Sequence, residues 1–566
     1  MNQVVYLLLR RMRAPLLVLI AVYSITTLGM VLIPGIDAAG RPWRMDFFHA
    51  FYVISYTATT IGFGEVPYPF SDAQRLWMIF SIHITVIAWL YAIGKIFRLM
   101  QDPAFHQAVT EHAFARGVRL IKEPFYIVCG YGDTGSLLVR SLAQRNMRAV
   151  VVDINPDRIS ALELEDLHIY MPGLCADASL SVTLNEAGLL HPRCAGVVAL
   201  TDSDEVNLKI AISTRLLHPG IQVICRAETK DAERNMASFG TRHIINPFDT
   251  FAARLALALH SPGTHLLHEW LTGVPDTPLP APLYPPHGSW ILCGYGRFGK
   301  AVYANLVKEG IAVVIIEADP VKTGCVDGCV VGRGTEADTL NTARVADAAG
   351  IVAGTDNDVN NLSITITARE LNPRIFSVAR QNRRDNNEIF QVARLDLVMQ
   401  RSEIIARDIL ALLTTPLLNE FLELSRQQSN EWANQLVSRL SAFTNELVPD
   451  VWMVTIDPRM TPALSAALYE EGGVYLEVLL REPRDREQLL PCMTLLLRRG
   501  TQTLLTPDDK VSLHQGDQLL FCGVVGARER MQWTLQNHNV LRYLKNSEER
   551  PEGVVWRWVS QRFGQG

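Results

Sequence analysis

Two uncharged stretches of 19 residues, Pro15 to Ile33 and Leu76 to Gly94, constrain this chain before anything else does. As helices, each is long enough to cross the roughly 30 Å of hydrocarbon in a bilayer. Arg10, Arg11 and Arg13 precede the first stretch, and Lys95 and Arg98 follow the second. Basic residues gather at the cytoplasmic ends of spans, so both termini are expected in the cytoplasm, with the large remainder of the chain on the same side. The first stretch is too long for a signal core and lacks a small-residue cleavage site, so it is expected to stay as a span.

The segment between the two stretches is the informative one. Met45 to Ala58 is apolar and aromatic but too short to span, which predicts a re-entrant helix. It runs directly into Thr59-Thr60-Ile61-Gly62-Phe63-Gly64-Glu65. Non-helical backbone at membrane depth survives only where protein buries it or where it lines a water-filled path. Glycines at alternate positions permit backbone angles that turn successive carbonyls toward one axis. Four copies around that axis would stack rings of carbonyl oxygens and a ring of Thr60 hydroxyls, replacing the hydration shell of a cation.

These residues resemble the potassium-channel selectivity filter, usually Thr-Val-Gly-Tyr-Gly-Asp, with Ile61, Phe63 and Glu65 as departures. Phe63 keeps the ring but loses the hydroxyl that would tie the filter to its pore helix. Glu65 keeps an acidic charge at the outer mouth. The glycine hinge common about twenty residues later is missing: that neighbourhood reads Ile82-His83-Ile84-Thr85-Val86, and Gly94 is the glycine of this helix. His83 is expected to pack against a neighbouring helix rather than to sense pH in the pore.

Beyond residue 124 one module occurs twice. Phe125 to Cys129 is strand-like and leads into Gly130-Tyr131-Gly132-Asp133-Thr134-Gly135, and a second strand ends at Asp153. Trp290 to Cys293 leads into Gly294-Tyr295-Gly296-Arg297-Phe298-Gly299, and the next strand ends at Glu317. Gly130 to Gly294 and Asp153 to Glu317 are each 164 residues apart, while Thr201 to Thr355, Asp202 to Asp356, Asn207 to Asn361 and Arg226 to Arg380 are each 154. One ten-residue deletion reconciles the two offsets, so the pattern is a duplication.

Each copy predicts a Rossmann-like parallel sheet flanked by helices. Its glycines permit close approach of a pyrophosphate to a helix N-terminus, and its acid accepts from ribose hydroxyls. Arg297 in the second loop is placed to meet phosphate, whereas Asp133 in the first repels it, so tighter binding is expected in the second unit. Asp177, Thr201, Asp202 and Arg226 are the first unit's candidates for base and phosphate contacts. Thr335, Thr355, Asp356 and Arg380 are the second's. A helical pair follows each unit (Pro247 to Leu271, and Ser402 onward), with apolar faces that need a partner.

A net charge of -5 gives no global basic excess, so nucleic acid is not an expected partner. Nine cysteines lack metal-ligand spacing; Cys129, Cys194, Cys225, Cys293 and Cys522 lie in or beside apolar strands, which suits a reducing cytosol. Cys325 and Cys329 are four apart without a second pair. A membrane-anchored dehydrogenase is disfavoured because no His or Lys stands poised as a general acid. A regulator of another transporter is disfavoured because it would not need the filter.

The order of pore and two glycine-loop units resembles the prokaryotic two-span potassium channels with tandem RCK (KTN, TrkA-N) domains, of the GsuK type. The resemblance covers roughly residues 14 to 525. It implies an α-helical two-span pore domain (1–100), a linker (101–124), a first Rossmann lobe (125–245), a helical crossover and linker (246–286), a second Rossmann lobe (287–400), a crossover (401–446), one C-terminal lobe (447–525) and an unassigned tail (526–566). It further implies a homotetramer in the bacterial inner membrane, with eight RCK units in a cytoplasmic gating ring below a K+ pore. NAD or another adenine nucleotide is the implied regulatory ligand, with Ca2+ as a further one, although no loop has calcium spacing.

Overall fold

The computed structural model describes residues 3–101, 110, 113–469 and 473–547, and divides into a unit of residues 1–121 and a unit of residues 122–566. Trp556 and Trp558 of the tail lie outside the described residues.

In the first unit α1 (Gln3–Leu32) and α3 (Asp72–Met100) flank the short α2 (Phe47–Ala58). Asp46 caps α2 by accepting from the His49 N–H, and Ser71 opens α3 with a reciprocal capping box to Gln74. Only 28% and 22% of the apolar windows of α1 and α3 are buried, unlike the core helix of a soluble protein. Outward residues such as Ile20, Leu28, Leu76 and Ile87 are exposed large hydrophobics, which suits a lipid or protein surround. Trp77 of α3 lies over Gly29 of α1, where a Cβ would meet the indole at 2.1 Å, and its Nε1 donates to the Thr26 carbonyl at 3.0 Å. A larger residue at position 29 would separate the two helices.

The second unit holds two six-stranded parallel sheets of the same topology. The first contains β1 (Phe125–Cys129), β2 (Arg148–Asp153), β3 (Gly173–Cys175), β4 (Cys194–Ala199), β5 (Gln222–Arg226) and β6 (His243–Ile245), in the order β3-β2-β1-β4-β5-β6. Its helix α4 (Asp133–Gln144) follows β1, and α5 (Asp204–Leu217) follows β4. After β6 come α6 (Pro247–His260) and α7 (Pro262–Thr272). The second sheet repeats the order with β7 (Ser289–Cys293), β8 (Ala312–Glu317), β9 (Val330–Val331), β10 (Gly350–Ala353), β11 (Phe376–Gln381) and β12 (Leu397–Gln400). Here α8 (Arg297–Lys308) follows β7, α9 (Asp358–Leu371) follows β10, and α10 (Arg401–Thr414) follows β12. Both are doubly wound sheets with the strand order reversing beside the glycine loop.

The apolar helices that follow each sheet are exchanged. Phe248, Phe251 and Leu255 of α6 join Trp290, Phe298 and Val302 in the core of the second sheet. Ile405, Ile409 and Leu413 of α10 join Val128, Leu138 and Leu142 in the core of the first. Each sheet therefore buries a helix supplied by the other copy, which locks the two into one body.

A single antiparallel lobe follows α11 (Pro416–Ser425) and α12 (Asn430–Thr444). It contains β13 (Asp450–Thr455), β14 (Cys492–Arg499), β15 (Gln502–Leu505) and β16 (Gln518–Gly523), ordered β13-β16-β14-β15. One face packs on α7, α11 and α12, and the other on α13 (Ala527–Gln536) and α14 (His538–Asn546). Residues 246–288 carry two helices and an extended stretch, so the first copy has no such lobe before the second begins.

Candidate functional site

The filter segment leaves α2 in an alternating conformation. Thr60, Gly62 and Gly64 have φ of 62°, 68° and 91°, while the intervening residues are not left-handed. This alternation is what points consecutive carbonyls the same way, and glycine supplies it without steric cost at two of the three positions. Ile61 and Phe63 are each 61% exposed in the single chain. The Phe63 ring stacks on Tyr52 and meets Tyr56 edge-on. Phe63 lacks a hydroxyl, but the tie to the pore helix exists in reverse, because the Tyr56 hydroxyl donates to the Gly64 carbonyl. Thr59 turns back, donating its hydroxyl to the Ser55 carbonyl. Glu65 is ion-paired: it accepts from Arg75 Nε at 2.9 Å and from the Phe70 N–H at 2.8 Å. His83 has Nδ1 2.7 Å from the Ile79 carbonyl of its own helix.

Both glycine loops have the geometry their sequence predicts. Gly130 and Gly294 have φ of 105° and 95°. A Cβ on Gly135 would lie 2.0 Å from the Gly130 carbonyl, and one on Gly299 would lie 2.0 Å from that of Gly294. Only glycine allows the helix to start so close to the strand. Gly132 and Gly296 are the N-caps of α4 and α8 and offer no side-chain cap, so the first-turn amides stay open to a ligand. The acids that end the second strands hold these loops. Asp153 accepts from the Tyr131 N–H at 2.6 Å, and Glu317 from the Tyr295 N–H at 2.5 Å.

Thr201 and Thr355 serve mainly as anchors. Each hydroxyl donates at 2.7 Å to the Oδ1 of a fully buried asparagine, Asn207 or Asn361. That asparagine also donates to the carbonyl of Arg226 or Arg380, which clamps the two strand ends together. Asp133 is exposed in the first turn of α4, and Thr134 is buried behind it. Asp177 accepts from the Ser179 N–H at 2.8 Å in a turn, and the Thr335 carbonyl accepts from Thr367. Phe298, a residue of the second glycine loop's sequence, is fully buried in the core of the second sheet, because the second position of α8 faces inward.

The two clefts differ in their charges. In the first, Arg158 spans the opening, with Asp153 at 3.3 Å on one side and Asp202 at 3.8 Å on the other. Arg226 pairs with Asp202 at 3.1 Å and with Glu228. Glu228 also takes Arg401 at 2.7 Å and Arg297, from the second glycine loop, at 2.9 Å. Burial works to raise the Glu228 pKa, but the three guanidinium groups outweigh it and hold the carboxyl below the usual range. Sequence reading missed both Arg158 and Glu228.

The second cleft is a cavity of about 640 Å³ reaching from Gly294 and Gly296 past Glu317 and Lys322 to Thr355, Asp356 and Arg380. Arg380 lies over the rings of Phe248 and Phe298, at 5.0 and 5.9 Å from their centroids. Among the described residues it has no ion pair and its guanidinium no hydrogen bond; the position matching Glu228 is Asn382, which bonds Asp358 instead. Burial pushes the Arg380 pKa down to about 10, with Arg401 adding repulsion. A half-buried cation that closes no ion pair, beside open helix amides, is a site for an anion. Among the described residues no cluster of three or more His, Cys, Asp or Glu is arranged to hold a metal ion.

Comparison with known proteins follows this division. Residues 16–102 match the ion channel family model, and residues 126–247 and 290–401 each match the TrkA-N domain model. An uncharacterized protein of Methanothermus fervidus is 35% identical over 227 residues, 40% of this chain and 34% of that one. Probable potassium channel protein 2 of Methanocaldococcus jannaschii is 26% identical over 223 residues, 39% of this chain and 62% of the relative. This chain thus spans less than two thirds of either relative's length. A solved structure of the GsuK channel is 19% identical, covering 94% of this chain and 99% of its own, with a TM-score of 0.47. The chain is therefore an ion-channel domain joined to two tandem TrkA-N domains.

Proposed function

We propose that this chain is one subunit of a homotetrameric, potassium-selective channel of the bacterial inner membrane, opened or closed by a nucleotide held in its second TrkA-N domain. The carrying observation is the alternating left-handed backbone at Thr60, Gly62 and Gly64 between two apolar helices. Two helices cannot enclose a path alone, so four chains bring their Thr59–Glu65 segments around one axis. Eight TrkA-N domains, two from each chain, then form a cytoplasmic ring, with both termini on that side by the positive-inside tendency.

Gly294, Gly296, Glu317 and Arg380 are the bound nucleotide's partners in this reading. The amides at the start of α8 and the Arg380 guanidinium take phosphate, and Glu317 takes ribose hydroxyls. NAD and adenine nucleotides fit this chemistry; calcium rests on the family resemblance alone. A ligand that binds one ring state tenfold better supplies about 1.4 kcal/mol per site, and four sites act together on one pore. Potassium flux into proteoliposomes, with sodium as control, tests the reading. Potassium-selective flux that Gly62→Ala abolishes is the expected result. Equal sodium and potassium flux, or none from a folded tetramer, would refute it.

A further inference from the structure

A second cavity, of about 550 Å³, opens where the ends of α4 and α10 and the edge strand β13 meet α13. We propose that it is a further ligand site, for a small molecule with an apolar, ring-sized body and one anionic group. Its walls include Leu413, Met453 and Val525, so an apolar body is accommodated. Two cations serve it. Arg145, whose contact is the Thr414 hydroxyl at 3.4 Å, and Arg528, which is exposed, both line the cavity. Among the described residues neither closes an ion pair with a carboxylate, and Asp450 lines the same space without reaching either. Burial lowers the Arg145 pKa and raises that of Asp450, so the charges here are held at a cost that an anion on the arginines would offset.

Trp452 also lines the cavity; it is 3% exposed, its ring stacks on Phe521 in the core, and among the described residues its Nε1 has no acceptor. Buried donors are ordinarily paired, and leaving one unpaired costs about 1–3 kcal/mol. The wall is also formed by the free edge of β13, which pairs only with β16. Among the described residues the site occurs once: the residue matching Arg145 in the second copy is Glu309, which faces His260 of α6 at 3.3 Å, and no lobe follows α6 and α7 to cover it. A ligand here would join the first TrkA-N sheet, the exchanged helix α10 and the C-terminal lobe. It would thereby change how firmly they hold together, independently of the nucleotide clefts.

The test uses the full chain in lipid nanodiscs and calorimetric titration with 2-naphthoate, 2-naphthyl phosphate and the neutral 2-naphthylmethanol. Variants are Arg528→Gln, which removes an exposed charge, and Val525→Trp, which fills the mouth from a surface position. The proposal expects one anionic probe to bind once per chain, at least tenfold more tightly than the alcohol, and to weaken at least tenfold in both variants. The better of the two anions tells whether carboxylate or phosphate is the natural group. Binding no tighter than that of the alcohol, or wild-type affinity retained in either variant, would overturn it.

Discussion

The two glycine-loop clefts share strand order, glycine loop, terminal acid and the Asn–Thr clamp, yet they have disposed of their arginines in opposite ways. The first cleft satisfies Arg158 and Arg226 internally with Asp153, Asp202 and Glu228. The second replaces Arg158 with Lys322 and Glu228 with Asn382, and leaves Arg380 facing an open cavity. Moving one counterion thus changes the charge that a duplicated cleft presents. When the acid is in the chain, the cleft is closed by its own charges; when it is absent, a ligand must bring it. The first unit's acid is not idle, because Glu228 also grips Arg297 and Arg401 of the second half. The first cleft has become a strut for the second.

The hardest blow to this comparison is Glu228→Ala, which leaves three arginines facing one another. Removing one partner of a buried pair costs about 3–5 kcal/mol. Accelerated amide exchange at β5 and at the start of α10 in the full chain should report the loss. Asn382→Ala at the matching position should cost about 1 kcal/mol, and equal effects would erase the asymmetry. Next, Arg380→Gln should weaken NAD or ADP binding about 10- to 100-fold, the worth of a hydrogen bond to a charged group. Arg226→Gln should leave that affinity unchanged, as equilibrium binding to both variants would show.

The crossovers offer a third contrast. His265 and His268 on α7 are buried, and burial holds both below the ordinary value of 6.5. A depressed folded pKa means that the unfolded chain binds more protons just below that value. Stability is therefore full above pH 6.5 and falls as the pH drops further, by up to about 1.4 kcal/mol per unit for each histidine. The matching helix α11 has no histidine. Thermal melts between pH 7.5 and 5.5 should lose this slope in a His265→Gln, His268→Gln double variant, and an unchanged slope would place the titration elsewhere. The smallest effect is expected from Arg158→Gln, which should unblock the first cleft and add at most a weak nucleotide site to each chain, visible as a shallow second phase in the titration.

Much of this was legible in the sequence because it rests on local chemistry. Glycines that must take positive φ, uncharged 19-residue runs and equal repeat offsets carry their meaning without a partner. The exchange of α6 and α10 was legible only as apolar faces needing cover, since the covering sheet lies in the other copy of the repeat. Glu228 escaped notice although the signal was present: its counterpart at the 154-residue offset is an amide, a change that separates a neutralised arginine from a free one. Arg158 sits five residues beyond Asp153, and its reach across the cleft depends on a side-chain direction that spacing does not give. The burial of Phe298 was not legible, because a residue inside the glycine-loop pattern is already the second residue of a helix in the fold. The Tyr56 tie to the filter was not legible because it depends on a side-chain direction that brings a hydroxyl on the pore helix to the Gly64 carbonyl.

In the proposed reading the second cleft, and not the first, carries the regulatory ligand. Calorimetric titration of the purified full chain with NAD and with ADP, counting sites per chain, is the decisive measurement. One site per chain is expected for whichever nucleotide binds, weakened about 10- to 100-fold in Arg380→Gln and kept in Gly132→Val. Two equal sites per chain, or a single site lost in Gly132→Val and kept in Arg380→Gln, would contradict it.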